Sequence, residues 1–169
     1  MGGMSVVASP IAGRRVVDVS FLLAHTSHVL ATRMTAAFAE IGITPREYCV
    51  LAHAMCGQYT QIELATIADL DKTTMLNSMD YLERAGYAER TPSPSDRRAR
   101  IITVTAAGAG LVGQGHEIAD RVHGEVLQAL PADQRELLTG ALTTLATGVL
   151  AEPVASAKPV RRPRSNTVH

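Results

Sequence analysis

Four arginines occur between residues 90 and 100, and their chemistry is the clearest in this sequence. Arg90, Arg97, Arg98 and Arg100 are accompanied in this stretch by one acidic residue, Asp96. The whole chain carries 16 basic and 16 acidic residues, so the excess of positive charge is local. Guanidinium groups bind phosphates and enter the narrow, negative minor groove of duplex DNA. The cluster therefore predicts contact with nucleic acid, and a solvated surface loop is the alternative.

A predicted helix from Asp71 to about Gly86 supplies a second set of polar side chains. Its apolar residues share one face, and the opposite face carries groups that can contact phosphates or base edges. The outward residues are Lys72, Thr73, Thr74, Leu76 and Asn77. Asparagine pairs with adenine, and an aliphatic side chain contacts the thymine methyl group. Against this interpretation, residues 71–85 contain three acids and two bases, and first-turn hydroxyls often only cap a helix.

Local signals divide the preceding part of the chain into helices. Apolar residues at helical spacing predict a first helix from Asp18 to about Ile41, which Gly42 ends. Thr44 and Thr60 each stand three residues before a glutamate, which is the pattern of a capping box. They predict the starts of two short helices before the one at Asp71, with Met55 on the apolar face of the first and Ile62 among the apolar residues of the second.

The residues after this helix predict a β-hairpin and two further helices. β-branched residues favour strands at Tyr87–Thr91 and Arg100–Thr105, joined by a turn rich in proline and serine. Helical segments follow at about 106–129 and 131–150. A helix, a short helix and a third helix before a two-stranded wing form a winged helix-turn-helix. The predicted fold class is mainly α with a small β-hairpin wing and extra helices on both sides.

Three stretches of this sequence resemble the MarR (multiple antibiotic resistance regulator) family of bacterial transcription factors. They are residues 43–51 (ITPREYCVL), 70–86 (LDKTTMLNSMDYLERAG) and 96–105 (DRRARIITVT). Gly108, three residues after the last stretch, also fits the family pattern. The resemblance covers roughly residues 18–150 and implies a cytoplasmic, ligand-responsive regulator, a repressor, that binds duplex DNA as a homodimer.

The resemblance also implies how the chain is divided and what several residues do. It places a winged helix-turn-helix at 44–105 and dimerisation helices at 18–43 and 106–150. In the family pattern Arg98 enters the minor groove, Asp96 orients it, and Arg97 contacts a phosphate. Residues 1–17 are predicted to be a disordered arm. Residues 151–169 are predicted to be a disordered basic tail, because Pro, Ser, Ala and basic residues cannot offset their ordering entropy.

The resemblance further implies a small aromatic or phenolic effector bound between the dimerisation helices and the DNA-binding lobe. A pocket for an organic anion needs a few polar anchors among apolar residues. The candidate anchors are His25, His28, Arg33, Arg46 and His53. Histidines and arginines at such positions are more often structural or solvated. No cofactor and no membrane partner are predicted.

Two other hypotheses about the function remain open. Cys49, His53 and Cys56 stand at i, i+4 and i+7 of one predicted helix, so they share a face that could bind a soft metal or react with an oxidant. This spacing allows a metal- or thiol-sensing regulator, although buried cysteines and lone histidines are commoner. The acidic residues of the Asp71 helix favour a winged-helix module that binds protein instead of DNA.

Composition and motifs bear on the remaining classes. The chain has 169 residues, 46% hydrophobic and 19% charged, as expected of one globular domain, and two cysteines are too few for a disulfide framework. No Ser-His-carboxylate pattern, P-loop or HExxH motif occurs, so an enzyme is not predicted. Residues 108–113 match the GxGxxG pattern of dinucleotide-binding proteins. The sequence lacks the alternating strands and helices of a Rossmann sheet. The start of a helix, with Thr105 as its N-cap and Gly108 in its first turn, is therefore the better explanation of these glycines.

Overall fold

A computed structural model describes residues 18–94 and 99–154 of the chain. Asp96, Arg97 and Arg98 lie outside these described residues, as do the predicted arm at 1–17 and the tail from 155 onward. The elements are α1 (Val19–Phe38), α2 (Pro45–Ala54), α3 (Gln61–Ile67), α4 (Lys72–Arg84), β1 (Ala88–Pro92), β2 (Arg100–Val104), α5 (Ala106–Gln128) and α6 (Ala132–Thr147). A 3₁₀ turn at Ala39–Ile41 follows α1. The mainly helical fold with a small hairpin is the predicted one.

The helix ends follow the local signals in the sequence. Thr44 and Thr60 both form complete capping boxes, in which each threonine oxygen accepts from a backbone amide and the glutamate accepts from the threonine amide. Gly42 and Gly86 adopt left-handed φ angles of 73° and 74°, which glycine permits without strain. The Thr105 hydroxyl accepts from the Gly108 amide at 3.1 Å and so caps α5.

The wing is an antiparallel pair of strands with Ala88 opposite Val104 and Pro92 opposite Arg100. The segment before α3 adds to it, because Thr60 forms an isolated bridge with Ile101. The Ile102 amide also donates to the Tyr59 carbonyl at 2.9 Å. This third contribution to the sheet was not predicted, and it ties the wing to the start of α3.

The core lies within the compact unit that ends at His123. Its fully buried side chains are Phe38, Val50, Leu51, Leu64, Met75, Met79 and Leu82. The predicted inward stripe of α4 is confirmed, because Ser78 is buried beside Met75, Met79 and Leu82. Two predicted core residues are not buried. Met55, which caps the C-terminal end of α2, is 52% exposed, and Ile62 in the first turn of α3 is 80% exposed.

Two of the glycines of the GxGxxG region and its continuation are explained by close packing. A Cβ on Gly108 would overlap the Tyr87 carbonyl oxygen and lie 2.8 Å from Val104 Cγ1. A Cβ on Gly115 would overlap the Tyr48 ring. Gly108 and Gly115 therefore let α5 lie close to Tyr87, just before β1, and to α2, whereas a Cβ on Gly110 or Gly113 would have no atom within 4 Å.

The first and last helices leave apolar side chains on the surface. In α1 only Ala37 and Phe38 are buried, and Val19 is 58% exposed. The described residues from Gly124 to Val154 belong to a second compact unit, in which α6 has no buried residue and Leu137 is 70% exposed. Among the described residues, no helix has the length and apolar character to cross a bilayer.

Candidate nucleic-acid interface

The outward face of α4 carries the side chains that the sequence predicted there. Lys72, Thr73, Leu76 and Asn77 are all exposed, and Leu76 has 45% of its surface open to solvent. The opposite face of the helix is anchored in the core by the buried methionines and Leu82. α4 therefore presents one cation, two polar side chains and one aliphatic side chain on a single rigid surface.

Asp71 fixes the start of this helix. Its Oδ1 accepts from the amides of Thr73 and Thr74 at 2.9 and 3.0 Å, and its Oδ2 accepts from the Thr74 hydroxyl at 2.6 Å. These bonds, the Thr74 hydroxyl first, lower the pKa of Asp71. The Thr74 hydroxyl proton is therefore engaged in capping, which is the alternative that the sequence left open for it. Thr73 is exposed, and its side chain is the better placed of the two to meet a phosphate.

Arg90 binds the acidic residues that opposed a DNA-binding role for α4. Its Nη2 donates to Asp80 Oδ1 at 3.1 Å, and its Nη1 donates to Glu83 Oε2. Its Nε donates to Gln61 Oε1 at 3.1 Å, and its backbone amide donates to Glu83 Oε1 at 3.0 Å. Residues 71–85 carry one more acid than base, and the charge of Arg90 on the neighbouring strand offsets that difference at Asp80 and Glu83.

The same contacts give Arg90 a role different from the one predicted for Arg97, Arg98 and Arg100. The Arg90 side chain is only about a quarter exposed, and all three guanidinium nitrogens have protein partners. Nothing in the sequence marks the pairing, because Gln61, Asp80, Glu83 and Arg90 come from three different elements. Arg100 is exposed at the start of β2, at the wing position predicted for it. Asp96, Arg97 and Arg98 fall outside the described residues, so their roles stay predictions.

The five candidate effector anchors are not gathered around either cleft that the structure shows beside the helix-turn-helix. One cleft, of about 560 Å³, lies between α3 and α4 and is lined by Ile62, Ala65, Leu70, Met75 and neighbouring polar residues. The other, of about 460 Å³, is lined by Asp80, Glu83 and Arg84. The candidate anchors are His25, His28 and Arg33 on α1 and Arg46 on α2, all exposed, and His53, which is partly buried.

The predicted metal-binding face of α2 does not form a metal site. Among the described residues, which include Cys49, His53 and Cys56, no group of three or more His, Cys, Asp or Glu side chains could hold a metal ion. Cys49 is half-buried, and burial raises the pKa of its thiol. Cys56 is exposed at the helix end, where its thiol donates to the Ala52 carbonyl at 3.4 Å. The prediction that Cys49, His53 and Cys56 share one helix is wrong for Cys56, because α2 ends at Ala54 and Cys56 lies in the turn beyond it.

Comparisons with known proteins agree with this geometry. The sequence profile of the MarR family matches residues 41–99. The multiple antibiotic resistance protein MarR of Salmonella typhimurium is 30% identical over 98 residues, which are 57% of this chain and 68% of that protein. The repressor CouR bound to a 23-mer DNA duplex is 26% identical, with a TM-score of 0.69 over 76% of this chain and 92% of that one.

Two structures with bound small molecules are similar to the same degree. CouR from Rhodococcus jostii bound to p-coumaroyl-CoA is 26% identical, with a TM-score of 0.68 over 82% of this chain and 96% of that one. A Mycobacterium tuberculosis MarR family protein in complex with p-aminosalicylic acid is also 26% identical, with a TM-score of 0.65 over 76% and 98% of the two chains.

The fold and the exposed face of α4 beside a two-stranded wing define a winged helix-turn-helix protein. The match to the Salmonella protein and to the family profile makes the assignment more specific. The chain belongs to the MarR family of transcriptional regulators, and the resemblance seen in its sequence is confirmed.

Proposed function

We propose that this protein is a ligand-responsive transcriptional regulator, a repressor, that binds a pseudo-palindromic DNA duplex as a homodimer. The observation that carries this proposal is the outward face of α4, on which Lys72, Thr73, Leu76 and Asn77 are exposed beside the wing. Arg90 pairs with the nearby carboxylates, so this face is not dominated by negative charge. The role is regulation and not catalysis, and it places the protein with the chromosome in the cytoplasm.

Different residues recognise the bases and bind the phosphates. α4 enters the major groove, where Asn77 pairs with adenine and Leu76 contacts a thymine methyl group. Lys72 and Thr73 bind phosphates at the start of the helix. In the wing, Arg98 enters the minor groove with Asp96 as its orienting partner, and Arg97 and Arg100 contact phosphates. Thr74 contributes through the helix start that it caps with Asp71.

The homodimer supplies the second recognition helix, with half-sites about one helical turn apart. Its interface is formed by the helices at 18–43 and 106–150, which flank the winged helix-turn-helix at 44–105. The support is the apolar surface that these helices leave exposed, on α1 at Val19 and Val29 and on α6 at Leu137 and Leu142. Burying such side chains is the main driving force for association.

The effector is a small aromatic or phenolic anion, as the p-aminosalicylic acid and p-coumaroyl-CoA complexes of the relatives suggest. Its anchors are drawn from His25, His28, Arg33, Arg46 and His53. Cationic and imidazole groups hold a carboxylate, and the exposed apolar side chains of α1 supply contacts for an aromatic ring. Binding shifts the equilibrium toward a form of the dimer with lower affinity for DNA.

The test is fluorescence anisotropy with a duplex that the wild-type protein selects from a random-sequence library, repeated at several salt concentrations. We expect tight binding to the selected duplex, weaker binding to a scrambled duplex and steep loss with salt. Arg98→Ala should weaken both and lower the salt slope by about 0.9, the effect of one phosphate contact. Asn77→Ala should keep that slope and change the base preference.

Failure to select any duplex would refute DNA recognition and favour the protein-binding module. An Arg98→Ala variant with an unchanged slope would refute the wing assignment alone. The effector part is tested by adding p-aminosalicylate or p-coumarate to the DNA complex. We expect release of the duplex at a ligand concentration that leaves the free protein folded, and no release by either compound would refute this class of effector.

A further inference from the structure

Arg90 lies where the recognition helix, the first helix of the motif and the wing meet. Each nitrogen of its guanidinium has its own partner, and the partners are Gln61 on α3 and Asp80 and Glu83 on α4. Its backbone amide, on β1, donates to Glu83 as well. This one residue therefore joins the wing strand to both helices of the helix-turn-helix.

The bonds of Arg90 restrict the position and orientation of the wing relative to α3 and α4. A guanidinium is a planar, rigid fork, so three bonds to two helices restrict both the position and the orientation of the strand that carries it. β1 leads directly into the segment that contains Arg97 and Arg98. A wing and a recognition helix that bind adjacent grooves must keep one spacing, and the Arg90 fork connects the two.

The positive charge of Arg90 has a second effect, on the carboxylates that it contacts. Asp80 stands three and four residues after Asn77 and Leu76, so these three side chains share one face of α4. Half of the Asp80 side chain is exposed, and Glu83 is about a third exposed. Without a partner, these carboxylates would repel phosphates next to the surface that reads the bases.

We propose that Arg90 is a positioning residue for DNA recognition. Its three guanidinium bonds to Gln61, Asp80 and Glu83 set the spacing between the wing and the recognition helix. Its positive charge neutralises the Asp80 and Glu83 carboxylates beside Leu76 and Asn77. Arg90 itself contacts no phosphate. The inference rests on the proposed DNA-binding function and adds a residue that acts through others.

The test compares three variants with the wild type against the selected and the scrambled duplex, over a range of salt. Arg90→Met removes fork and charge, and Arg90→Lys keeps the charge but loses the fork. The triple variant Asp80→Asn, Glu83→Gln, Arg90→Met removes all the charges of the junction. The matched control is Arg84→Met, which also removes one arginine charge from this region, because the exposed Arg84 side chain donates only to the Asp80 carbonyl of its own helix among the bonds described.

We expect Arg90→Met to weaken binding of the selected duplex about tenfold or more, and the triple variant, which leaves no carboxylate unpaired, to keep the wild-type salt slope because no phosphate contact is lost. The triple variant should recover its affinity for the scrambled duplex but not its preference for the selected one. Arg90→Lys should also bind the scrambled duplex like the wild type and show a reduced preference. Arg84→Met should keep the wild-type preference for the selected duplex.

Two results would overturn the proposal. An undiminished preference in Arg90→Met and Arg90→Lys would show that the fork does not set the spacing. A salt slope reduced by about 0.9 in the triple variant would make Arg90 a direct phosphate ligand. Far-UV circular dichroism checks that each variant is folded, and Arg90→Lys carries the test if Arg90→Met is not. If the wild type selects no duplex, the proposed function fails before these variants are compared.

Discussion

Replacing Gly108 by alanine should destabilise the protein, although alanine is the better helix former. The added Cβ would overlap the Tyr87 carbonyl oxygen, and that oxygen accepts the Thr105 amide at 3.0 Å. The obstructing atoms belong to backbone and to Val104 Cγ1, so a flexible side chain cannot simply move away. Either α5 shifts or the bond that joins its start to the wing lengthens.

The expected change in the free energy of unfolding combines two costs and one gain. Overpacking a tightly packed site costs about 1–3 kcal/mol. Weakening the Thr105 bond costs about another 1 kcal/mol, and alanine returns up to about 1 kcal/mol of helix propensity. We therefore expect Gly108→Ala to lower the free energy of unfolding by about 1–3 kcal/mol.

Gly110 provides the matched control two residues further along the same helix. A Cβ there has no atom within 4 Å, so Gly110→Ala should gain helix propensity without a clash. We expect it to raise the free energy of unfolding by about 0.5–1 kcal/mol. The two alanine variants should thus lie on opposite sides of the wild type.

The assay is urea denaturation followed by far-UV circular dichroism, with all three proteins at the same concentration because the proposed dimer links stability to concentration. Thermal unfolding gives an independent measure, since 1 kcal/mol corresponds to about 2–4 °C in a protein of this size. Equal stabilisation by both alanines would refute the close approach of α5 to Tyr87. It would also remove the packing explanation of this glycine in the GxGxxG pattern.

Three further predictions concern single side chains. Burial raises the pKa of Tyr48 above its ordinary 10.0, so stability should be complete below that pH and fall as the pH rises through the native pKa. Tyr48→Phe should fall less in alkaline urea titrations, and an identical decline would contradict the assignment. Iodoacetamide should alkylate the exposed Cys56 before Cys49, because the Cys49 thiol is half-buried and burial raises its pKa. Peptide mass spectrometry measures the two rates, and equal rates would contradict the difference in exposure between the two thiols. Tyr81→Phe should cost about 1 kcal/mol in unfolding experiments, because its hydroxyl donates to the Gly42 carbonyl at 2.8 Å, and no loss would show that water replaces the bond.

The sequence predicted most successfully where the cause of the structure is local. Thr44 and Thr60 start helices because a hydroxyl and a glutamate three residues later cap each other, whatever surrounds them. Gly42 and Gly86 end elements for a similar reason, since each needs only its own backbone freedom. These signals were sufficient to give the order of helices and strands and hence the fold class.

Predictions of burial at helix ends were less successful, because burial depends on what lies opposite. Ile62 and Leu64 are both apolar residues of α3, yet Leu64 is fully buried and Ile62 is 80% exposed. A helix of seven residues has too little periodicity to reveal which face meets the core. Met55 was placed on the inner face of α2 for the same reason and lies instead at its exposed end.

The outward face of α4 was predictable from helical periodicity, and its electrostatics were not. Lys72, Leu76 and Asn77 point outward because the inward positions of the same helix are filled by core residues. The sequence alone made this helix look too acidic for a phosphate-binding role. The tertiary structure changed that view by bringing Arg90 onto Asp80 and Glu83. Capping and periodicity act between residues a few positions apart, whereas an ion pair between strand and helix exists only once the chain has folded around its core.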